Sequence, residues 1–351
     1  MSNVVFILGA GASRQCGAPL MSDFLDVASS LLRSGEVQDK RTEFERVFDA
    51  IGALQAVHSK AQLDLNNIES IFTVLELGRI IQRVPGLSSE KIPQAISALK
   101  ELIVKTLEVT MKFPTKSRYI GVPKPYEEFA ALIAHLLREA FPTQTAAVIT
   151  FNYDIAADMG MYRAGLGPDY VIEKPPGNHV PISLLKLHGS LNWATEKESR
   201  RIRPLHLTSY FQHYSYNGFE ERGSTRVPIG SQLVEYFARQ ASTVVEPEPV
   251  IVPPSWNKAD YHAALSDVWA SAAKHLSEAE QLFIVGYSLP ETDSFFRHLY
   301  ALGSVGTTPL RRIAAFNPDS TGTVDRRFQA LLGPGAAARY EYHQRDRKSV
   351  V

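Results

Sequence analysis

The sequence predicts an α/β fold: a parallel sheet flanked by helices, with a large helical insertion after the first strand. Three observations predict it. Short, continuous apolar runs recur along the chain, each ending at glycine or polar residues. A long stretch between the first and second runs carries apolar residues at three- and four-residue spacing instead. The 351 residues suffice for one large α/β domain with a sizeable insertion, or for two compact domains.

The runs come first. Val4-Val-Phe-Ile-Leu8 is apolar throughout and rich in β-branched residues, the pattern of a strand buried on both faces in a parallel sheet. Ala146-Ala-Val-Ile-Thr150, Leu282-Phe-Ile-Val-Gly286 and Ile313-Ala-Ala-Phe-Asn317 share it. Leu184-Leu-Lys-Leu-His188 is a weaker fifth and Pro249-Val-Ile-Val-Pro253 a short sixth. Helical spacing governs Phe44 to Val57, Ile68 to Val84, Ile92 to Met111 and Tyr126 to Phe141, with Pro85-Gly86, Pro114 and Gly121-Val-Pro-Lys-Pro125 between them. The expected organisation is discontinuous. Residues 1–20 and 143–351 form the sheet domain, 21–142 the helical insertion, and 191–248 an irregular excursion rich in Tyr, His, Arg and Gly.

Composition narrows the function classes. Lysine plus arginine and aspartate plus glutamate stand at 37 each, so no net field draws nucleic acid or a membrane surface, and direct nucleic-acid binding is not expected. The basic stretch Glu198-Ser-Arg-Arg-Ile-Arg203 reads as a solvated loop. Cys16 is the only cysteine, which excludes an internal disulfide and a multi-cysteine zinc site and fits a reducing compartment. The five-residue apolar run at Val4 is too short for a signal-peptide core, and no later run spans a bilayer. A cytoplasmic protein is expected.

Five motifs fall where the strands end, the usual place for ligand groups in an open α/β sheet. Gly9-Ala-Gly-Ala-Ser13, followed by Gly17-Ala-Pro19, offers either a close backbone approach to a diphosphate or a plain tight turn; the third glycine of a dehydrogenase fingerprint is missing, since that place holds Arg14. Thr150-Phe-Asn-Tyr-Asp154 sets Asn152 and Asp154 two apart, toward one side of a crevice or as caps of a following helix. His188, in Lys186-Leu-His-Gly-Ser190, is a candidate general base or one more structural histidine among ten. Val285-Gly-Tyr-Ser-Leu-Pro290 and Phe316-Asn317 repeat the strand, turn and polar-group pattern.

The order of the five is more specific than any one of them, and it resembles the sirtuin superfamily over residues 4–25, 146–192 and 280–320. The resemblance implies a Rossmann-like NAD-binding domain with NAD⁺ as substrate. It implies Gly9, Ala10, Gly11, Ser13 and Pro19 along the diphosphate, and Asn152, beside Thr150, holding the nicotinamide ribose and a water. It places Asp154 on the carboxamide and His188 as base, with Gly286, Ser288 and Asn317 toward the adenosine half. Two departures matter. The four zinc-binding cysteines of the protein-deacylating members are absent, with His206 and His213 lacking thiolate partners, and Pro19-Leu-Met-Ser-Asp-Phe-Leu25 lacks the arginine those members carry there. The pattern is similar to a zinc-less bacterial branch of NAD⁺-depleting anti-phage effectors. That implies an NAD⁺ glycohydrolase, with ADP-ribosyl transfer, zinc-independent deacylation or non-catalytic NAD⁺ or ADP-ribose sensing as alternatives. An enzyme of this kind needs restraint, so a homo-oligomer or a companion protein (a motor ATPase or a phage-sensing subunit) is expected. The aromatic cluster Tyr210, Phe211, Tyr214, Tyr216 and Phe219 reads either as an interface or lid or as a small satellite core.

Overall fold

The computed structural model describes residues 4–116, 119–140, 144–173, 179–207, 233, 245–252, 259–290 and 293–344. Seven strands form one parallel sheet: β1 (Val4–Leu8), β4 (Ala146–Thr150), β5 (Leu166–Asp169), β6 (Val180–Lys186), β10 (Gln281–Val285), β11 (Arg312–Asn317) and β12 (Tyr340–Gln344). Their order across the sheet is β12-β11-β10-β1-β4-β6-β5. β1 and β4 are buried along their whole length, as their unbroken apolar sequences require for strands covered on both faces. The arrangement is a Rossmann-like α/β fold. From β1 the chain builds outward through β4 to the edge strand β5, fills the place between them with β6, then returns to the other flank of β1 as β10, β11 and β12. The direction of building reverses between β1 and β10, and the crevice past the carboxyl ends of the strands at such a reversal is where open α/β sheets take ligands.

The stretch between β1 and β4 is helical, as its periodicity predicts. It holds α1 (Phe24–Ser34), α2 (Arg41–Leu54), α3 (Ile68–Ile80), α4 (Lys91–Thr110) and α5 (Lys124–Ala140), with a two-residue hairpin of β2 (Thr115–Lys116) and β3 (Tyr119–Ile120). These helices divide by packing. α1 to α4 pack on one another, whereas α5 packs on α6 (Ala156–Arg163) and on β4, with Phe129 edge-on to Phe6 of β1 at 5.2 Å. Helices α7 (Ala259–Ser277), α8 (Ser294–Gly303), α9 (Thr323–Leu331) and the one-turn α10 (Pro334–Ala337) follow along the second half of the chain.

Pro249–Pro253, expected as a sixth strand of the main sheet, lies elsewhere. It overlaps β9 (Val245–Ile251), which pairs antiparallel with β7 (Gly189–Glu196), and β7 pairs with β8 (Ile202–Pro204) in a separate three-stranded sheet. The 191–248 stretch thus begins and ends in ordered strands. A run of apolar residues states burial, not pairing direction. The Glu198–Arg203 arginines sit at the β7–β8 turn, where Arg200 pairs with Glu246 and Arg203 with Glu196. His213 and the aromatic cluster from Tyr210 to Phe219 lie outside the described residues. Edge strands β5 and β12 carry no continuous apolar run. β5 includes Gly167 and Pro168, which an edge position tolerates.

Candidate functional site

Strand register brings the sequence motifs to one edge. Leu8 pairs with Thr150 on one side and Val285 on the other, Thr150 with Lys186, and Val285 with Phe316. Asn152 and His188 each lie two residues past a matched pair on adjacent strands, which run roughly 5 Å apart. Gly9 to Ser13, Tyr287 and Asn317 leave the same edge.

The glycines of the first motif have a specific partner. Gly11 N–H donates to Gly286 O at 2.9 Å, and a Cβ added at Gly11 would lie 2.7 Å from that oxygen. A Cβ at Gly9 would come within 2.5 Å of Tyr287 Cα. Gly286 has φ of +63°, and its Cβ position is filled by the Ala12 backbone nitrogen. The loops after β1 and β10 therefore pack backbone on backbone. Gly11, Gly9 and Ala12 commit their N–H groups to Gly286 O, Val285 O and Gly9 O respectively. Of the two readings the motif offers, the packing of a tight turn accounts for its glycines.

Behind this loop lies a closed cluster. Residues Ala10–Cys16 form a 3-10 helix that buries Ser13. Ser13 Oγ donates to Asp154 Oδ2 at 2.6 Å, and the other carboxylate oxygen accepts Ala156 N–H at 2.9 Å. Asn152 Nδ2 donates to Gly9 O at 2.9 Å and to Ser13 Oγ at 3.1 Å. Both amide protons are thus directed into the protein. Flipping the amide would set its oxygen against the Gly9 carbonyl, so the network fixes Asn152 Oδ1 as an acceptor. Thr150 braces the turn: its hydroxyl donates to Leu8 O at 3.1 Å and accepts Asn152 N–H at 3.1 Å.

Asp154 is fully enclosed, and burial raises its carboxyl above the ordinary range, against the opposing effects of Lys186 and of the Ser13 hydrogen bond. Cys16 lies beside it, and burial together with the Asp154 charge pushes its thiol up to about 12, leaving an inert core residue. Lys186, also buried, donates to Asp154 O at 2.6 Å and to Asp158 Oδ2 at 2.9 Å. Asp158 Oδ1 accepts from Tyr170 OH at 2.6 Å, and Asn192 Nδ2 donates to that phenol oxygen at 3.1 Å.

His188 is 5% exposed, at the junction of β6 and β7. Its carbonyl accepts Val252 N–H at 2.7 Å, and the Val252 carbonyl accepts Tyr153 OH at 2.9 Å. Phe151 stands edge-on to its ring at 5.3 Å, and Tyr153 is tilted at 6.2 Å. Phe151 in turn stacks on Tyr287 at 4.6 Å, and Tyr287 OH donates to Asp293 Oδ2 at 2.5 Å. Glu69, buried in the first turn of α3, acts electrostatically on both Tyr153 and Tyr287, helping burial to raise their phenols. The remaining sites differ in character. Asn317 is buried, its amide reaching Tyr287 O at 3.4 Å and its oxygen accepting Asp319 N–H at 3.0 Å, whereas Ser288 is exposed and Pro19 buried. Tyr126, Glu69, Asp158 and Lys186 escaped sequence reasoning as site residues. Only Lys186 stood inside a recognised motif.

No group of three or more His, Cys, Asp or Glu side chains is placed to hold a metal among the described residues. No described helix is long and apolar enough to cross a membrane.

No family model and no curated protein matches the chain. Solved structures do. One, from work on the mechanism and regulation of Sir2 enzymes, has 12% identity over 92% of this chain and 84% of that one, with a TM-score of 0.38. A Sir2 homolog–NAD complex has 13% identity over 97% and 83%, TM-score 0.39. A Sir2–p53 peptide–NAD⁺ complex has 14% identity over 94% and 92%, TM-score 0.37. Likenesses at these identities and TM-scores carry no weight for activity, and the fold rests on the strand order itself.

Proposed function

We propose that this chain binds NAD⁺ along the crevice at the carboxyl ends of β1, β4, β6 and β10, and hydrolyses its nicotinamide–ribose bond to nicotinamide and ADP-ribose. The observation that supports the reading most is Asn152, whose two amide protons are held by Gly9 O and Ser13 Oγ so that a fixed acceptor oxygen remains. Nicotinamide leaves a cationic precursor as a neutral molecule, so the leaving group needs no proton. What the reaction needs is a water on the opposite face of an oxocarbenium-like ribose. In this reading Asn152 Oδ1 accepts a hydrogen bond from that water. The water oxygen bonds to the anomeric carbon as the C–N bond breaks, and His188 takes its proton, help typically worth about 10²–10⁴ in rate. Gly9, Ala10, Gly11 and Pro19 wall the diphosphate, with Gly286, Ser288 and Asn317 toward the adenosine. Asp154 and Ser13, bonded to each other at 2.6 Å, act by orienting Asn152 rather than by holding the carboxamide or phosphates.

Membership of the zinc-less, NAD⁺-depleting branch of the sirtuin superfamily is part of the same proposal, resting on the five motifs in order at strand ends. An abortive-infection role agrees with that chemistry, since unrestrained hydrolysis drains the cell that carries it; restraint is assigned to self-association or to a companion protein. The test is incubation of the purified chain with NAD⁺ alone, with products separated by chromatography and identified by mass. Nicotinamide and ADP-ribose are expected, with Asn152→Ala and His188→Ala each at least ~10²-fold slower. Full activity in both variants removes the site assignment. Tight NAD⁺ binding by calorimetry without turnover makes the chain either a sensor or an enzyme waiting for its activator.

A further inference from the structure

Ser13 is the hub of the cluster behind the first loop, and its hydrogen bonds can be fully assigned. A serine hydroxyl has one proton and two lone pairs. The proton goes to Asp154 Oδ2 at 2.6 Å, and Asn152 Nδ2 donates to the oxygen at 3.1 Å. The remaining contact, 2.8 Å to Tyr126 OH, then has one direction: the phenol donates. Tyr126 is 3% exposed, and burial beside the Asp154 carboxylate holds its proton well beyond the ordinary tyrosine range.

Tyr126 belongs to α5, 113 residues from Ser13 in sequence, and its place is set by close packing. Gly160 of α6 lies so close that an added Cβ would be 2.7 Å from Tyr126 O, and Phe129, one turn on, packs edge-on to Phe6 of β1. Past the end of α4, Lys112 N–H donates to Cys16 O at 2.7 Å, and Gly17, at φ of +97°, abuts the Thr110 carbonyl. The helical stretch thus grips both the middle and the end of the 3-10 helix that carries Ser13.

We propose that Tyr126 is a positioning residue of the hydrolytic site: by donating to Ser13 it fixes the proton order through which Asn152 presents its oxygen as an acceptor. The helical stretch between β1 and β4 is then part of the site. This rests on the reading of Asn152 given above.

The test uses the full chain as wild type, Tyr126→Phe, Ser13→Ala and the double variant. For each, kcat and KM for NAD⁺ are measured, and stability in urea alongside. Tyr126→Phe keeps the ring and removes the phenol's hydrogen-bond contacts with Ser13 and Asn152. It is expected to lower kcat about tenfold with KM within about twofold, and to have under about twofold effect once Ser13 is alanine. A wild-type kcat in Tyr126→Phe, or the same loss in both backgrounds, overturns the proposal. A wild type that turns over no NAD⁺ overturns the hydrolase reading instead. The unfolding cycle then decides the contact: coupled losses uphold Tyr126 as organiser of the cluster, and additive losses overturn that too.

Discussion

Lys186 shows what a single buried charge demands. With Asp158 it forms an ion pair from which solvent is excluded, each side chain no more than 1% exposed. Desolvating two such ions costs several kcal/mol apiece, and their attraction offsets this only when the remaining lone pairs and protons are also matched. Here most are: Lys186 also donates to Asp154 O, and Asp158 also accepts from Tyr170. The pair therefore holds the turn that carries Asp154 while linking β6 to α6. Removing one partner strands the other charge, so Lys186→Met is expected to cost about 3–5 kcal/mol in urea unfolding. Lys186→Met with Asp158→Asn, which leaves neither member of the pair as a lone charge, is expected to cost clearly less than the two single losses combined. Simple additivity would show that the two charges are not coupled.

At the scale of elements, glycine positions separate contacts the fold needs from freedom it does not use. Gly286 meets the Ala12 nitrogen where its side chain would be and holds a left-handed φ, so Gly286→Ala must push the β1 and β10 loops apart. Gly52, in the body of α2, has nothing within 4 Å of an added Cβ. Gly52→Ala is expected to raise stability by about 0.5–1 kcal/mol, and Gly286→Ala to lower the melting temperature and abolish NAD⁺ turnover. A Gly286→Ala protein with wild-type melting and turnover would show that the loops do not depend on each other. The same distinction explains what was legible in the sequence. β1 and β4 are unbroken apolar runs because both their faces are covered, β10 and β11 are largely apolar beside them with β10 half-buried on its second face, and α2 to α5 show their spacing because one face is covered. β5 and β12 sit at edges, where neither rule applies, and the antiparallel pairing of β9 depends on strands that its own residues do not specify. Asn152 and His188 stood out because polar residues at strand ends are conspicuous locally. Tyr126 and Asp158 did not, because their meaning lies in partners 113 and 28 residues away.

For the whole molecule, the proposed dinucleotide site falls where two halves of one sheet meet. One half, β1-β4-β6-β5, carries the first loop, Asn152 and His188; the other, β10-β11-β12, carries Tyr287, Ser288 and Asn317. In the proposed reading a dinucleotide laid along the edge would bridge them, whereas nicotinamide or a mononucleotide would touch one half. Ligand bound only by the folded state stabilises by RT ln(1 + [L]/Kd), about 2.7 kcal/mol at a hundredfold excess over Kd. With an unfolding entropy of about 2.1 cal/mol/K per residue, each kcal/mol moves the melting temperature of a chain of 351 residues by roughly 1–2 °C. ADP-ribose, the expected product, is therefore expected to raise it by about 3–5 °C and to slow amide exchange in the loops after both β1 and β10. AMP at the same concentration is expected to protect the β10 and β11 side alone. Protection by ADP-ribose confined to one side would mean the ligand does not cross the junction, and the dinucleotide crevice would have to be abandoned even if the fold stood unchanged.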